Sequence, residues 1–191
     1  MAERLLTFDG LQAGYEGPVV GPLGFSVGAG EVVGLAGPNG CGKSTIMRVL
    51  TGGARVFAGT VTRREGLRVA YQAQSGLNLD PSSGEIPLRV REVVRLMDVA
   101  PADLPARLKA LLDVRVDRLS GGEQQLLFVW CAIGHPAELL LLDEPTNNLD
   151  PDGEALLTET LRALAPGRAA LVISHERDFL EQVADRMVEI A

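Results

Sequence analysis

Three short stretches place residues that could do chemistry together. The first is GPNGCGKST, Gly37 to Thr45, which follows the apolar run EVVGLA, Glu31–Ala36. It satisfies G-x-x-x-x-G-K-[ST] through Gly37, Gly42, Lys43 and Ser44, in the strand–turn–helix context that a phosphate-binding loop needs. A turn running through Gly37, Pro38, Asn39, Gly40, Cys41 and Gly42 can curl so that N–H groups point inward. The helix start at Lys43, Ser44 and Thr45 adds positive partial charge. Lys43 is expected to reach the β- and γ-phosphates of a nucleotide, and the Ser44 hydroxyl to ligate Mg²⁺. The second stretch is ELLLLDEP, Glu138 to Pro145. Four leucines predict a buried strand that delivers Asp143 to its end as a metal-holding carboxylate. Glu144 follows, where a carboxylate can polarise an attacking water. Combined with the phosphate loop, these acids predict a nucleotide hydrolase. The third stretch, LSGGEQQ from Leu119 to Gln125, puts paired glycines at a helix start, which is again an anion-holding arrangement. One small domain seldom needs two such devices for one phosphate.

These residues must be carried by a scaffold, and the chain length sets its scale. At 191 residues a single domain is expected, residues 1–191, large enough to bury a core without disulfides or metals. Apolar residues make up 46% and aromatics only 4%, so the core must be built from Leu, Val, Ala and Ile. The net charge of −7 removes the simple electrostatic case for nucleic acid, and none is expected as a partner. Cys41 and Cys131 lie far apart and outside any CxxC, which gives neither a disulfide framework nor a metal pattern. The N-terminal stretch does not read as a secretory signal. The longest apolar run, Leu126 to Ile133, is eight residues against the ~18 that a membrane span needs. A cytoplasmic protein is therefore expected, with any membrane connection made through a partner.

Strands are predicted at Leu5–Phe8, Glu31–Ala36, Leu67–Tyr71, Leu139–Leu142, Ala170–Ile173 and Met187–Ile190. Helices are predicted at Lys43–Leu50, Val90–Met97, Ala106–Leu112, Gly121–Ile133, Glu154–Leu164 and Asp178–Ala184. Strand and helix alternate at both ends, which predicts a parallel sheet covered by helices. A helical insert at about 75–135 interrupts a core formed by 1–74 and 136–191.

In this combination the motifs resemble those of the ATP-binding-cassette (ABC) ATPases, over almost the whole chain. LSGGE is similar to the family signature, with Ser120 lying 23 residues before Asp143. The resemblance implies an α/β fold: a P-loop NTPase core with a mostly parallel sheet, a small antiparallel N-terminal β region and a short helical insert. It further implies that two cassettes stack head to tail, so that Ser120, Gly121 and Gly122 of one close over ATP–Mg²⁺ held by the other. Tyr15 resembles the aromatic that stacks on adenine. Gln74 resembles the glutamine that senses Mg²⁺ and water, with Gln72 as the competing candidate. Asp150 resembles the loop aspartate that communicates across the dimer. His175 resembles the switch histidine that contacts the γ-phosphate. His135 matches no motif and is expected in a turn. Cys41 is expected to be a small filler whose oxidation could block nucleotide binding.

The chain departs from the family after the signature, where QQLLFVWCAIG replaces an arginine-bearing segment. Phe128 and Trp130 must therefore be buried or must meet a partner. With sixteen residues after His175, no regulatory C-terminal domain is expected. The resemblance implies the ATPase subunit of a transporter, held on the cytoplasmic face of the membrane by a separate membrane subunit. The expected second cassette is an identical chain, with a different cassette subunit as the alternative. A soluble, ribosome-acting cassette of the ABC-F type is the alternative.

Overall fold

The computed structural model describes residues 3–73 and 88–190. Two sheets organise the chain. Strands β1 (Arg4–Gly14), β2 (Pro18–Gly28) and β4 (Arg55–Arg63) form an antiparallel sheet in the order β2-β1-β4. Strands β3 (Val32–Ala36), β5 (Val69–Gln72), β6 (Leu139–Asp143), β7 (Ala169–Ile173) and β8 (Arg186–Glu189) form a parallel sheet in the order β5-β6-β7-β3-β8. The helices are α1 (Lys43–Leu50), α2 (Val90–Leu96), α3 (Ala106–Lys109), α4 (Gly121–Gly134), α5 (Pro151–Arg162) and α6 (Arg177–Val183).

Every residue of β3, β6 and β7 is buried, which explains why these strands read as unbroken apolar runs. Both faces of a parallel sheet are covered, so no polar alternation survives. The two-residue period still sorts the side chains between layers. Leu139, Leu141 and Leu171 enter one core with α1 and the antiparallel sheet. Leu140, Leu142 and Val172 enter the other, with α4, α5 and α6. The second core continues into the insert through Val90, Val93, Leu108 and Val116. Helix α4 is apolar nearly all round and accordingly lies inside. Trp130 is buried and Phe128 packs on the same cluster, so the chain itself covers both.

The sequence named no strand over 18–28 or 55–63. Strand β2 is interrupted by glycine and proline, and β4 is exposed along almost its whole length, so neither shows a clean core-facing alternation. Helix α5 starts one turn before the expected Glu154. Asp150 caps it by accepting the Gly153 N–H at 3.0 Å, and Pro151 occupies the first helical position. Helix α3 ends at Lys109, short of the expected Leu112. No helix among the described residues is long and apolar enough to cross a membrane.

Burying a leucine completely contributes about 1.5–3 kcal/mol, and the cavity left by truncation adds to the loss. Leu171 is fully buried on the central strand, whereas Leu96 is 73% exposed. Leu171→Ala should lower the unfolding free energy in urea by about 2–5 kcal/mol. Leu96→Ala should change it by less than about 0.5 kcal/mol.

Candidate active site

The phosphate loop joins β3 to α1 and needs its glycines for steric reasons. Gly37 has φ +148° and Gly42 has φ +97°. A Cβ on Gly37 would lie 2.3 Å from the Ile190 carbonyl oxygen, and one on Gly42 would lie 2.6 Å from Cβ of Val20. The loop therefore curls tightly, and Lys43 begins α1 as a buried residue. Its ammonium donates to the carbonyls of Gly37 at 2.7 Å and Pro38 at 2.9 Å. Cys41 turns towards the core beneath the loop and fills space, as expected. Burial pushes the other thiol, Cys131, up to about 12, so it stays protonated.

Strand β6 delivers the acids. Asp143 is only 1% exposed, and it accepts from the Ser44 hydroxyl at 3.2 Å and the Tyr71 hydroxyl at 3.4 Å. Burial raises its pKa above the usual carboxylate value, against the opposing pull of the Ser44 hydrogen bond. Glu144 then turns the chain at φ +53°, a left-handed conformation that is costly for a residue with a side chain. Three residues hold it there. Its N–H donates to the Ile173 carbonyl at 2.9 Å, and buried Gln125 of α4 donates to the carbonyls of Glu144 and Pro145, each at 3.1 Å. Oε2 of Glu144 accepts the His175 N–H at 3.1 Å and lies 2.7 Å from His175 Nδ1.

These groups line one cavity of about 520 Å³, a size suited to a nucleotide-scale ligand. Tyr15, Lys43, Ser44, Asp143, Glu144 and His175 all face it, and Asn39, Gly40, Gly42 and Thr45 complete the loop side. Gly37 and Pro38 act from behind, through the carbonyls that hold Lys43. The Thr45 hydroxyl, helped by the Arg48 guanidinium, holds the Tyr15 phenol below its usual pKa.

The donor set fits Mg²⁺. A buried carboxylate lies beside a hydroxyl, with only hydroxyl partners on its oxygens among the described residues. Those residues contain no cluster of three metal-binding side chains. One or two protein oxygens completed by phosphates and water is how Mg²⁺ is commonly held. Gln74 lies outside the described residues. Gln72 is buried at the end of β5, donates to the Ala73 carbonyl at 2.7 Å and does not line the cavity.

The signature builds a second cavity of about 230 Å³, bordered by Arg107, Ser120, Gly122, Asn148 and Asp150. Ser120 caps α4 in a reciprocal box with Glu123: each accepts the other's backbone N–H, at 3.2 and 2.8 Å. Gly122 must be glycine because a Cβ there would lie 2.6 Å from the Asn148 carbonyl oxygen, whereas Gly121 faces open space. Asp150 pairs with Arg107 at 2.6 Å, which with the Gly153 N–H holds its carboxyl below the usual range. The two cavities share no lining residue. His135 ends α4, and its carbonyl accepts from Arg168 at 3.0 Å, in keeping with the expected turn.

Sequence reading missed Arg48, Tyr71, Gln125 and Asn147 as residues of these sites. One of them had a usable signal: Arg48 follows Ser44 by four helical positions and so shares its face. Tyr71 had none, because it becomes the diagonal neighbour of Asp143 only through the pairing of Tyr71 with Leu141 across parallel strands.

The profile of the ABC transporter family matches residues 20–147. The zinc import ATP-binding protein ZnuC of Marinobacter nauticus is 32% identical over 98% of this chain and 75% of its own length. The Nod factor export ATP-binding protein I of Rhizobium meliloti is 37% identical over 89% of this chain and 56% of its own. The solved ATP-binding subunit of an ABC transporter superposes with a TM-score of 0.83 at 25% identity, covering 97% of this chain and 85% of that one. The chain belongs to the ABC transporter family. Its chemistry is the binding and hydrolysis of ATP.

Gln125→Leu leaves two buried carbonyls without their donor, at a cost of about 1–3 kcal/mol for each group left unsatisfied. The variant should unfold at lower urea, with a stability loss of at least about 1 kcal/mol. Gln124→Leu, one position earlier, also removes a donor from two carbonyls, those of Val116 and Leu119, but at a partly exposed site that water can reach, and should lose less.

Proposed function

We propose that this chain is the cytoplasmic ATP-hydrolysing subunit of a transporter, and that its nucleotide is enclosed between two cassettes stacked head to tail. The observation that carries this reading is the separation of the two cavities. One holds the phosphate loop and the acids, and the other holds the signature, so a single chain offers two half-sites that face different nucleotides.

On the first half, Lys43 exchanges the Gly37 and Pro38 carbonyls for β- and γ-phosphate oxygens, joined by N–H groups at the start of α1. Ser44 and Asp143 would hold Mg²⁺, with Gln74 as the third ligand expected from the sequence, and the ion would supply positive charge to offset that of the phosphates. The Glu144 carboxylate accepts a proton from the attacking water. The water oxygen bonds to the γ-phosphorus as the bond to the bridging oxygen breaks, and ADP carries away that electron pair. His175 contacts the Glu144 carboxylate and fixes its direction. From the other half, the partner's Ser120, Gly121 and Gly122 present the positive end of α4 to the same γ-phosphate.

ATP bridges both surfaces and favours the closed pair; hydrolysis removes the bridge and the pair opens. A separate membrane subunit converts that motion into transport, and the loop containing Asp150 carries the signal across the interface. One chain supplies both half-sites, so a homodimer suffices. The cargo is a property of the membrane subunit, since the relatives include a zinc importer subunit and a Nod factor exporter subunit.

Glu144→Gln keeps an acceptor for His175 and removes the base. ATP should bind it with near wild-type affinity, turnover should fall by about 10²–10⁴-fold, and light scattering should detect an ATP-dependent dimer. Ser120→Arg in the same background should bind ATP and remain monomeric. A Glu144→Gln protein that stays monomeric in ATP while hydrolysing at the wild-type rate contradicts the proposal.

A further inference from the structure

Arg48 is the one charged residue lining the first cavity besides those assigned above, and its partner is a phenol. The protein has 25 acidic residues against 18 basic ones, and Arg64, Arg91, Arg107, Arg115, Arg177 and Arg186 all pair with carboxylates. Arg48 makes no ion pair among the described residues. Its one side-chain hydrogen bond among them runs from Nη1 to the Tyr15 hydroxyl, at 2.9 Å.

The geometry shows what that bond does to the ring. The guanidinium carbon lies over the Tyr15 ring at 6.0 Å from its centre, the outer edge of the ~6 Å cation–π range. The 2.9 Å bond from Nη1 to the hydroxyl is the closer contact, so Arg48 grips the phenol chiefly by its tip. Tyr15 needs such a grip. It sits where β1 turns towards β2 and is 40% exposed, and its backbone is tied at that turn by a 3.2 Å bond to the Gly17 carbonyl. An aromatic ring so placed would otherwise lose rotamer freedom only when a ligand arrives, and binding would bear that entropy. Arg48 is well suited to fix the ring in advance, because α1 anchors it four residues beyond Ser44, on the face that lines the same cavity.

We infer that Arg48 is a positioning residue for the base end of the nucleotide: it holds the Tyr15 ring in place as a preformed stacking surface. This rests on the reading of Tyr15 as the adenine-stacking residue, and it assigns Arg48 no contact with phosphate.

Calorimetry with ADP and with pyrophosphate, neither of which the protein hydrolyses as ATP, tests it. Arg48→Gln should weaken ADP by about threefold to tenfold, the effect of one unfixed side chain, and leave pyrophosphate unchanged. Tyr15→Phe, which keeps the ring and loses the hydroxyl that both Arg48 and Thr45 hold, should weaken ADP at least as much. The double variant should be no weaker than Tyr15→Phe alone, because that change already removes the bond Arg48 makes. Arg48→Lys retains a donor and should recover most of the affinity. Equal weakening of ADP and pyrophosphate by Arg48→Gln would place Arg48 on the phosphates and overturn the inference, as would additive effects in the double variant. Unchanged ADP affinity in Arg48→Gln, with Tyr15→Ala strongly weakened, would overturn the inference alone. Unchanged affinity in Tyr15→Ala would overturn the stacking role of Tyr15 and the inference with it.

Discussion

The structure depends on two adjacent carboxylates held at the end of a fully buried strand. Asp143 and Glu144 are 1% and 7% exposed, and charges so placed must be answered by donors or by a cation. Each element that ends nearby supplies part of the answer. Helix α1 brings the Ser44 hydroxyl, β5 brings the Tyr71 hydroxyl, and the chain leaving β7 brings the His175 N–H. The buried cation Lys43 is close by on the phosphate loop but spends its hydrogen bonds on loop carbonyls. The arrangement is a site whose negative and positive halves are each held by neutral groups, which a magnesium-bound polyphosphate would join.

The second constraint is the backbone between β6 and α5. Glu144 and Asn147 face the first cavity, while Asn148 and Asp150 border the second, all within one short loop. Positive φ values at Glu144 and Asn148 fold it tightly enough to reach both. Gln125 ties the same loop to the helix that the signature begins. A change at either cavity is thus mechanically close to the other without a shared residue.

Much of this was legible from the residues. The leucines of β6 and the mixed run of β3 could only be strands buried on both faces, and the glycine spacing of the phosphate loop specified the start of α1 to the residue. Sites built from local spacing were the readable ones. What was hidden depends on pairings distant in sequence. Tyr71 meets Asp143 only because β5 lies beside β6, and Gln125 reaches Glu144 only because α4 packs under that strand's end. Strands β2 and β4 were hidden for another reason: their order comes from hairpin-like pairing with β1, while β4 has too little buried surface to leave a pattern. The departure at QQLLFVWCAIG also resolved physically, since the apolar stretch Leu126–Ile133 is covered by the chain's own core.

The central claim is that the phosphate held by Lys43 is closed over by the signature of another copy. Mixing two inactive variants tests it most directly, Lys43→Ala with its signature intact and Ser120→Arg with its phosphate loop intact. The account predicts that each is inactive alone and that the mixture hydrolyses ATP, because one composite site per mixed pair is whole. A mixture as inactive as its components, alongside wild-type protein that turns over ATP as a monomer, would contradict it.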